Sequence, residues 1–352
     1  MSLRRLSRRE SASPWNAVLR RAGGTGRRGA SPLLGGPRPW TEAAVRVVGG
    51  PPGFLSVAPW MIGRMTHGSR DDLRSLALQH LSPEDAEKWL GLLRPGVRLE
   101  ATTGLDDSIG RLGGAPALPA DSEWPVWEGY GPLSFIASID CARLPAVELD
   151  IDLPAAGTLL FFYFDGQLDD GDALVQAEDR ESWAGARVLY VPSDEEVAER
   201  TESSGLKPYP VVPLAARVEL TAPEPWHPSV RAAFAPGTPL GNRYDHPVCS
   251  QEFIDALGEF NNGVGHRIGG HAHSLQNPVE IEIAEAVLDG EASRDDPRLS
   301  EEAGKWVLLA QFDSENAADM MWGDVGTLYW LMRPNDLAGQ RFERAMFTWQ
   351  CG

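Results

Sequence analysis

Leu112-Gly113-Gly114, then Phe135-Ile136-Ala137-Ser138-Ile139-Asp140, then Gly157-Thr158-Leu159-Leu160-Phe161-Phe162, form a three-part phrase that occurs twice in this chain. Its second occurrence is Ile268-Gly269-Gly270, then Leu308-Leu309-Ala310-Gln311-Phe312-Asp313, then Gly326-Thr327-Leu328-Tyr329-Trp330-Leu331. Order and character match block for block. An internal repeat is read before any other fold signal, because overlooking it misassigns the architecture. It predicts an α+β fold: two similar β-rich repeats packed face to face, with a few peripheral helices.

The flanking sequence fills in that frame. Leu73, Leu76, Ala77 and His80-Leu81 make one apolar stripe, and Ser82-Pro83-Glu84-Asp85 reads as a helix start: N-cap, proline in the first turn, then acids that complement the helix dipole. With Ala86, Trp89, Leu90 and Leu93 behind it, this predicts an N-terminal helical hairpin over 61–96. The first repeat is expected over 97–222. Its strands are read at 97–101, 159–164, 188–191 and 217–220 from alternating or continuous apolar residues between Gly and Pro punctuation. A Pro-rich connector, 222–245, leads into the second repeat (223–352), with a helix capped by Ser250, an acidic stretch from Glu291 to Glu302, and a final strand over 344–350.

Charge divides the chain unevenly. The net charge is −18; residues 1–60 carry ten Arg against Glu10 and Glu42, leaving −26 on the remainder. So acidic a body repels nucleic acid and anionic lipid. It suits a basic protein partner. No apolar run is long enough for a membrane span. The leader, rich in Arg, Gly and Pro, cannot bury enough surface to order itself and is expected to be disordered. A twin-arginine signal lacks the apolar stretch after Arg8-Arg9, and a transit peptide fits poorly with a GC-rich coding bias. The preferred reading is a start site assigned too early, with Met61 or Met65 as the true start. Cys141, Cys249 and Cys351 are odd in number and far apart, which fits free thiols in a cytoplasm.

The candidate chemistry is sparse. Asp140 and Asp313 end matching apolar strands; each can hold its own turn, or the two can meet across a pseudo-two-fold axis and share a proton or a cation. Trp322-Gly323-Asp324-Val325-Gly326, beside Met320-Met321, reads as packing or as the floor of a ligand groove. His271 and His273 share a face if that segment is extended, but without a nearby Cys the pair is weak evidence for metal. The Gly-Gly pairs lack the residues of a phosphate cradle, and Asp169-Asp170-Gly171-Asp172 lacks the ligand spacing of a calcium loop. No cofactor and no metal is expected. Candidate cleft residues are Asp140, Asp313, Trp322, Asp324, His271 and Gln276.

Taken together, these strings resemble the YwqG-like family of uncharacterised bacterial proteins. The resemblance rests on residues 112–119, Trp124-Pro125 and Pro132-Leu133-Ser134-Phe135-Ile136. It continues through Ile268-Gly269-Gly270, Gln276, residues 308–313, residues 320–326 and Gln350. It implies an α+β fold of two similar repeats and no established activity. The His271-Ala272-His273 stretch and the leader depart from the family pattern. Three functions follow as expectations: a non-catalytic binding or interaction protein, one form being an acidic immunity-type protein that neutralises a basic toxin; an enzyme with an acid/base or metal site between the repeats; and a small-ligand sensor using the Trp322 patch.

Overall fold

The computed structural model describes residues 69–104, 107–145, 149–202, 205–260 and 263–352. The expected leader and residues 61–68 lie outside them. The chain divides after Gly63, and the account below concerns the second unit, Arg64–Gly352.

Two helices come first, α1 (Arg70–His80) and α2 (Pro83–Leu90). Ser69 caps α1 in a capping box with Asp72, and the Ser82 hydroxyl accepts the Asp85 N–H at the start of α2. Then come β1 (Arg94–Ala101), β2 (Ser108–Leu112), the short strands β3 (Ala117–Pro119), β4 (Val126–Trp127) and β5 (Gly131–Pro132), and β6 (Ser134–Asp140). Next are β7 (Thr158–Tyr163), β8 (Ala186–Val191), β9 (Val197–Glu199) and β10 (Val212–Thr221). The remaining elements are α3 (Pro228–Phe234), α4 (Gln251–Phe260), β11 (His266–Ile268), α5 (Val279–Val287) and α6 (Pro297–Ala303). The chain closes with β12 (Val307–Asp313), β13 (Thr327–Met332), α7 (Pro334–Ala338) and β14 (Met346–Gln350).

Ten strands form one antiparallel sheet in the order β14-β13-β12-β11-β1-β10-β2-β6-β7-β8. The central pair is β1 and β10, joined along the whole of β1 from Arg94↔Thr221 to Ala101↔Leu214. β1 then bonds to β11, and β10 to β2. Each central strand therefore pairs with the strand that follows the other one in sequence.

The three-part phrase now has a physical explanation. Ile136 is an extra residue in β6 opposite β7, and Leu309 is an extra residue in β12 opposite β13. Such bulges free a carbonyl from the ladder. The Ile136 carbonyl accepts the Gly113 N–H at 2.8 Å, and the Leu309 carbonyl accepts the Gly269 N–H at 3.2 Å. Both Gly pairs have positive φ, 61° and 78° at Gly113-Gly114, 64° and 69° at Gly269-Gly270, a conformation glycine adopts without steric cost. Downstream, Asp140 faces Thr158 and Asp313 faces Thr327. The Cys141 N–H bonds the Gly157 carbonyl, and the Ser314 N–H bonds the Gly326 carbonyl.

The sheet curls until its two arms meet. Phe161 of β7 lies 5.0 Å from Phe312 and 5.3 Å from Trp330, ring to ring, and Tyr163 stacks on Phe347 at 4.9 Å. One apolar core runs through both arms. On the outer face of β12 and β13, Leu308, Tyr329 and Leu331 pack against Val279, Ile283 and Ala286 of α5. Cover on both faces explains why those strands are buried at nearly every position and mostly apolar. A second cluster joins α1, α2, α3 and α4 through Leu73, Ala77, Trp89, Val230, Phe253 and Leu257. Among the described residues, no helix is long and apolar enough to cross a membrane.

Candidate functional site

The connector after β10 begins Ala222-Pro223-Glu224-Pro225-Trp226-His227-Pro228. Three prolines fix the backbone and remove three donors, so the side chains between them are held out from a stiff ribbon. That ribbon, Trp89 of α2, one face of α4 (Phe253, Ile254, Leu257, Gly258), Val248 and the segment His273-Ser274 enclose a cleft of about 320 Å³. Its walls are mainly apolar, and its polar groups are few, the pattern of a small-molecule site.

Glu224 is the acid in this cleft. It accepts the Ser274 N–H at 3.0 Å. Burial, the neighbouring Glu280 carboxylate and an opposing contribution from that backbone bond leave its pKa pushed up to about 8. The carboxyl is thus mostly protonated at neutral pH.

Behind the ribbon lies a buried polar cluster. His227 Nδ1 accepts the Ser229 N–H at 3.1 Å, so its ring proton sits on Nε2, 3.4 Å from Glu280 Oε1. Burial opposes ionisation of Glu280, but His227, a backbone hydrogen bond and Arg94 together outweigh it and hold the carboxyl below its ordinary value. The His271 ring packs edge-on against His227 at 4.9 Å. Its Nε2 donates to the Leu92 carbonyl at 2.8 Å, and its Nδ1 is buried with no hydrogen-bond partner. Burial, with His227 and Arg94 nearby, drives its pKa well down.

Residues 273–277 form a strap held by side chains from the sheet. Gln311 accepts the His273 N–H, Tyr329 donates to the His273 carbonyl, and Gln350 accepts the N–H groups of Leu275 and Gln276. Gln350 also donates to Glu282, whose carboxyl burial pushes up to about 7.

The sequence-predicted residues fall in several places. His271 lies in the buried cluster, whereas His273 lines the cleft; the two imidazoles do not converge, and among the described residues no three His, Cys, Asp or Glu side chains gather to hold a metal ion. Asp140 accepts the Ala142 N–H at 3.0 Å and borders a separate, open groove of about 360 Å³ with Arg111, Ser138, Arg143 and Thr158. Asp313 accepts from the Ser314 N–H and the Thr327 hydroxyl, and burial raises its pKa despite both bonds. Trp322 is buried, donates to the Asp313 carbonyl and meets the rings of Tyr163 and Tyr209. Asp324 is exposed. Gln276 is also exposed and donates to the Cys351 carbonyl. Thus Asp313 and Trp322 are together, while Asp140 serves its own turn. Glu224, His227, Glu280 and Glu282 escape the sequence reading. For Glu224 and His227 the one local signal is an acid, a tryptophan and a histidine set between prolines, in a stretch that reads as a linker.

No curated protein matches the chain. Residues 110–351 match the family described as a domain of unknown function, DUF1963, and the chain belongs to that family.

Proposed function

We propose that this DUF1963 chain is a non-catalytic binding protein of the YwqG-like type, and that the cleft beside Glu224 receives a small ligand. The observation that carries this reading is the cleft itself: about 320 Å³ walled by Trp89, Phe253, Ile254 and Leu257, with Glu224, His273 and Ser274 as its few polar lining residues. Shape and apolar contact supply affinity there, and one acid supplies orientation. The same reading takes the sheet as two copies of one β-unit, because bulge, Gly-Gly turn and Asp–Thr pair recur in step in both arms. On this reading the second copy begins with β10 instead of at 223, supported by β10 pairing with β2 as β1 pairs with β11. A reducing, cytoplasmic setting fits Cys141, Cys249 and Cys351 as free thiols.

Gly258 supplies the test. It lines the cleft mouth on α4, and nothing lies within 4 Å of where its Cβ would be. Gly258→Phe therefore puts a bulky side chain on the cleft lining at a position with room for its Cβ, and removes a helix-weakening glycine. The neutral fluorescent probe N-phenyl-1-naphthylamine should bind the wild type and fail to bind this variant, with the melting temperature held or raised. Equal binding by both proteins, or by neither, overturns the assignment.

A further inference from the structure

Glu224 sits in an aromatic and aliphatic enclosure with Trp226, Trp89 and Phe253 around it. Trp226 is exposed at 38 %, so apolar surface stands open beside a half-buried acid. The groups facing Glu224 are Glu280 from α5, His273 and Ser274 from the strap, and Tyr329 from β13. Glu280 adds negative charge. Burial and the nearby Arg267 and Arg98 lower the His273 pKa, so that imidazole stays neutral. Among the described residues, no Lys, Arg or His forms an ion pair with Glu224. Among the described residues Glu224 is thus an acid backed by a second acid and without a counter-ion, in a space lined by rings.

We infer that the ligand is a small organic cation, an ammonium group on an apolar body, with Glu224 as its counter-ion and Trp226 flanking the charge at the mouth. This rests on the cleft being a binding site, as proposed above. Aromatic faces and a carboxylate together select a cation over its uncharged isostere, since the ring quadrupole and the acid both attract positive charge. The body's net charge favours approach of such a ligand. Entry of a cation stabilises the ionised acid, so binding expels the Glu224 proton into solvent.

The experiment measures displacement of N-phenyl-1-naphthylamine by two shape-matched probes, benzyltrimethylammonium and neopentylbenzene, between pH 6 and pH 9. The cation carries a permanent charge, so any pH dependence belongs to the protein. Its affinity should rise about tenfold from pH 7 to pH 9, the factor expected for an acid titrating near 8. Calorimetry at pH 7 in buffers of different ionisation enthalpy should show release of close to one proton. Neopentylbenzene should show neither effect. In Glu224→Gln the cation's preference and its pH slope should disappear while the naphthylamine still binds. Equal affinity for the two probes at pH 9, or a pH slope that survives in Glu224→Gln, overturns the cation assignment and leaves the cleft as a site for neutral ligands. If none of the three molecules binds, the binding-site reading falls with it.

Discussion

Between β1 and β2 the chain has residues 102–107; between β10 and β11 it has residues 222–265. Both intervals leave one of the two central strands, and both lead to a strand ending in a Gly-Gly turn. The first is short in sequence. The second holds α3, α4 and every part of the cleft wall except Trp89, His273 and Ser274. What matches between the two arms builds the sheet, and what has no counterpart builds the cleft. Strand pairing is satisfied locally in each arm, while Glu224 and most of the cleft wall sit in the segment between β10 and β11.

The strongest way to break the scaffold side of this comparison is Phe161→Ala. Phe161 is fully buried where the arms meet, against Phe312 and Trp330. Loss of an aromatic side chain from a packed core costs about 3–5 kcal/mol, and urea denaturation should show a destabilisation of that size. The two glycine turns offer a sharper contrast. A Cβ on Gly113 would lie 2.3 Å from the Pro210 carbonyl oxygen, whereas one on Gly269 would lie 3.1 Å from the flexible end of Ile151. Gly269→Ala should cost about 1–2 kcal/mol, for the left-handed conformation. Gly113→Ala should cost more, because backbone must move. Equal costs would show that the turns are not held as differently as their surroundings indicate.

On the site side, the acid of Glu224 links stability to pH. Its pKa rises from 4.5 unfolded to about 8 folded. Between those values the folded state holds a proton that the unfolded state has lost, so stability is full below about pH 4.5 and declines as pH rises toward 8. The slope is on the order of 1 kcal/mol per pH unit. Glu282, raised to about 7, adds to the decline over a narrower window that closes near pH 7. Melting temperature measured from pH 5 to pH 8 should fall less steeply in Glu224→Gln than in the wild type, and an unchanged slope would count against a buried acid there. The smallest effects belong to the matched carboxylates. Asp140→Ala removes one turn-capping bond and should cost about 1 kcal/mol or less. Asp313→Ala removes two, in a half-buried setting, and should cost somewhat more. Chemical denaturation of the two variants side by side would settle the order.

Much of the sheet was legible because its signals are local. Gly-Gly needs positive φ wherever it lies, an apolar run ending in Asp needs cover on both faces and a turn to hold, and Ser82-Pro83 marks a helix start by capping chemistry alone. The linker reading of 222–245 shows the limit. Prolines there do break strand and helix patterns, but they also stiffen the ribbon that presents Glu224, Trp226 and His227. No periodicity reveals a site whose walls come from α2, the connector, α4 and the strap. His271 illustrates the same limit: its neighbour two residues on lines the cleft, while its own partners are Leu92 and His227.

By itself, the order of residues determined where the chain turns, which stretches must be buried, and that one block pattern occurs twice. These follow from backbone sterics and side-chain polarity within a few neighbours. Only the tertiary structure decided that β1 and β10 pair with each other and each with the strand following its partner, that the arms curl onto a common core, and that Glu224 meets no counter-ion among the described residues. Those outcomes depend on which distant surfaces exclude water together, and separation along the chain carries no record of that.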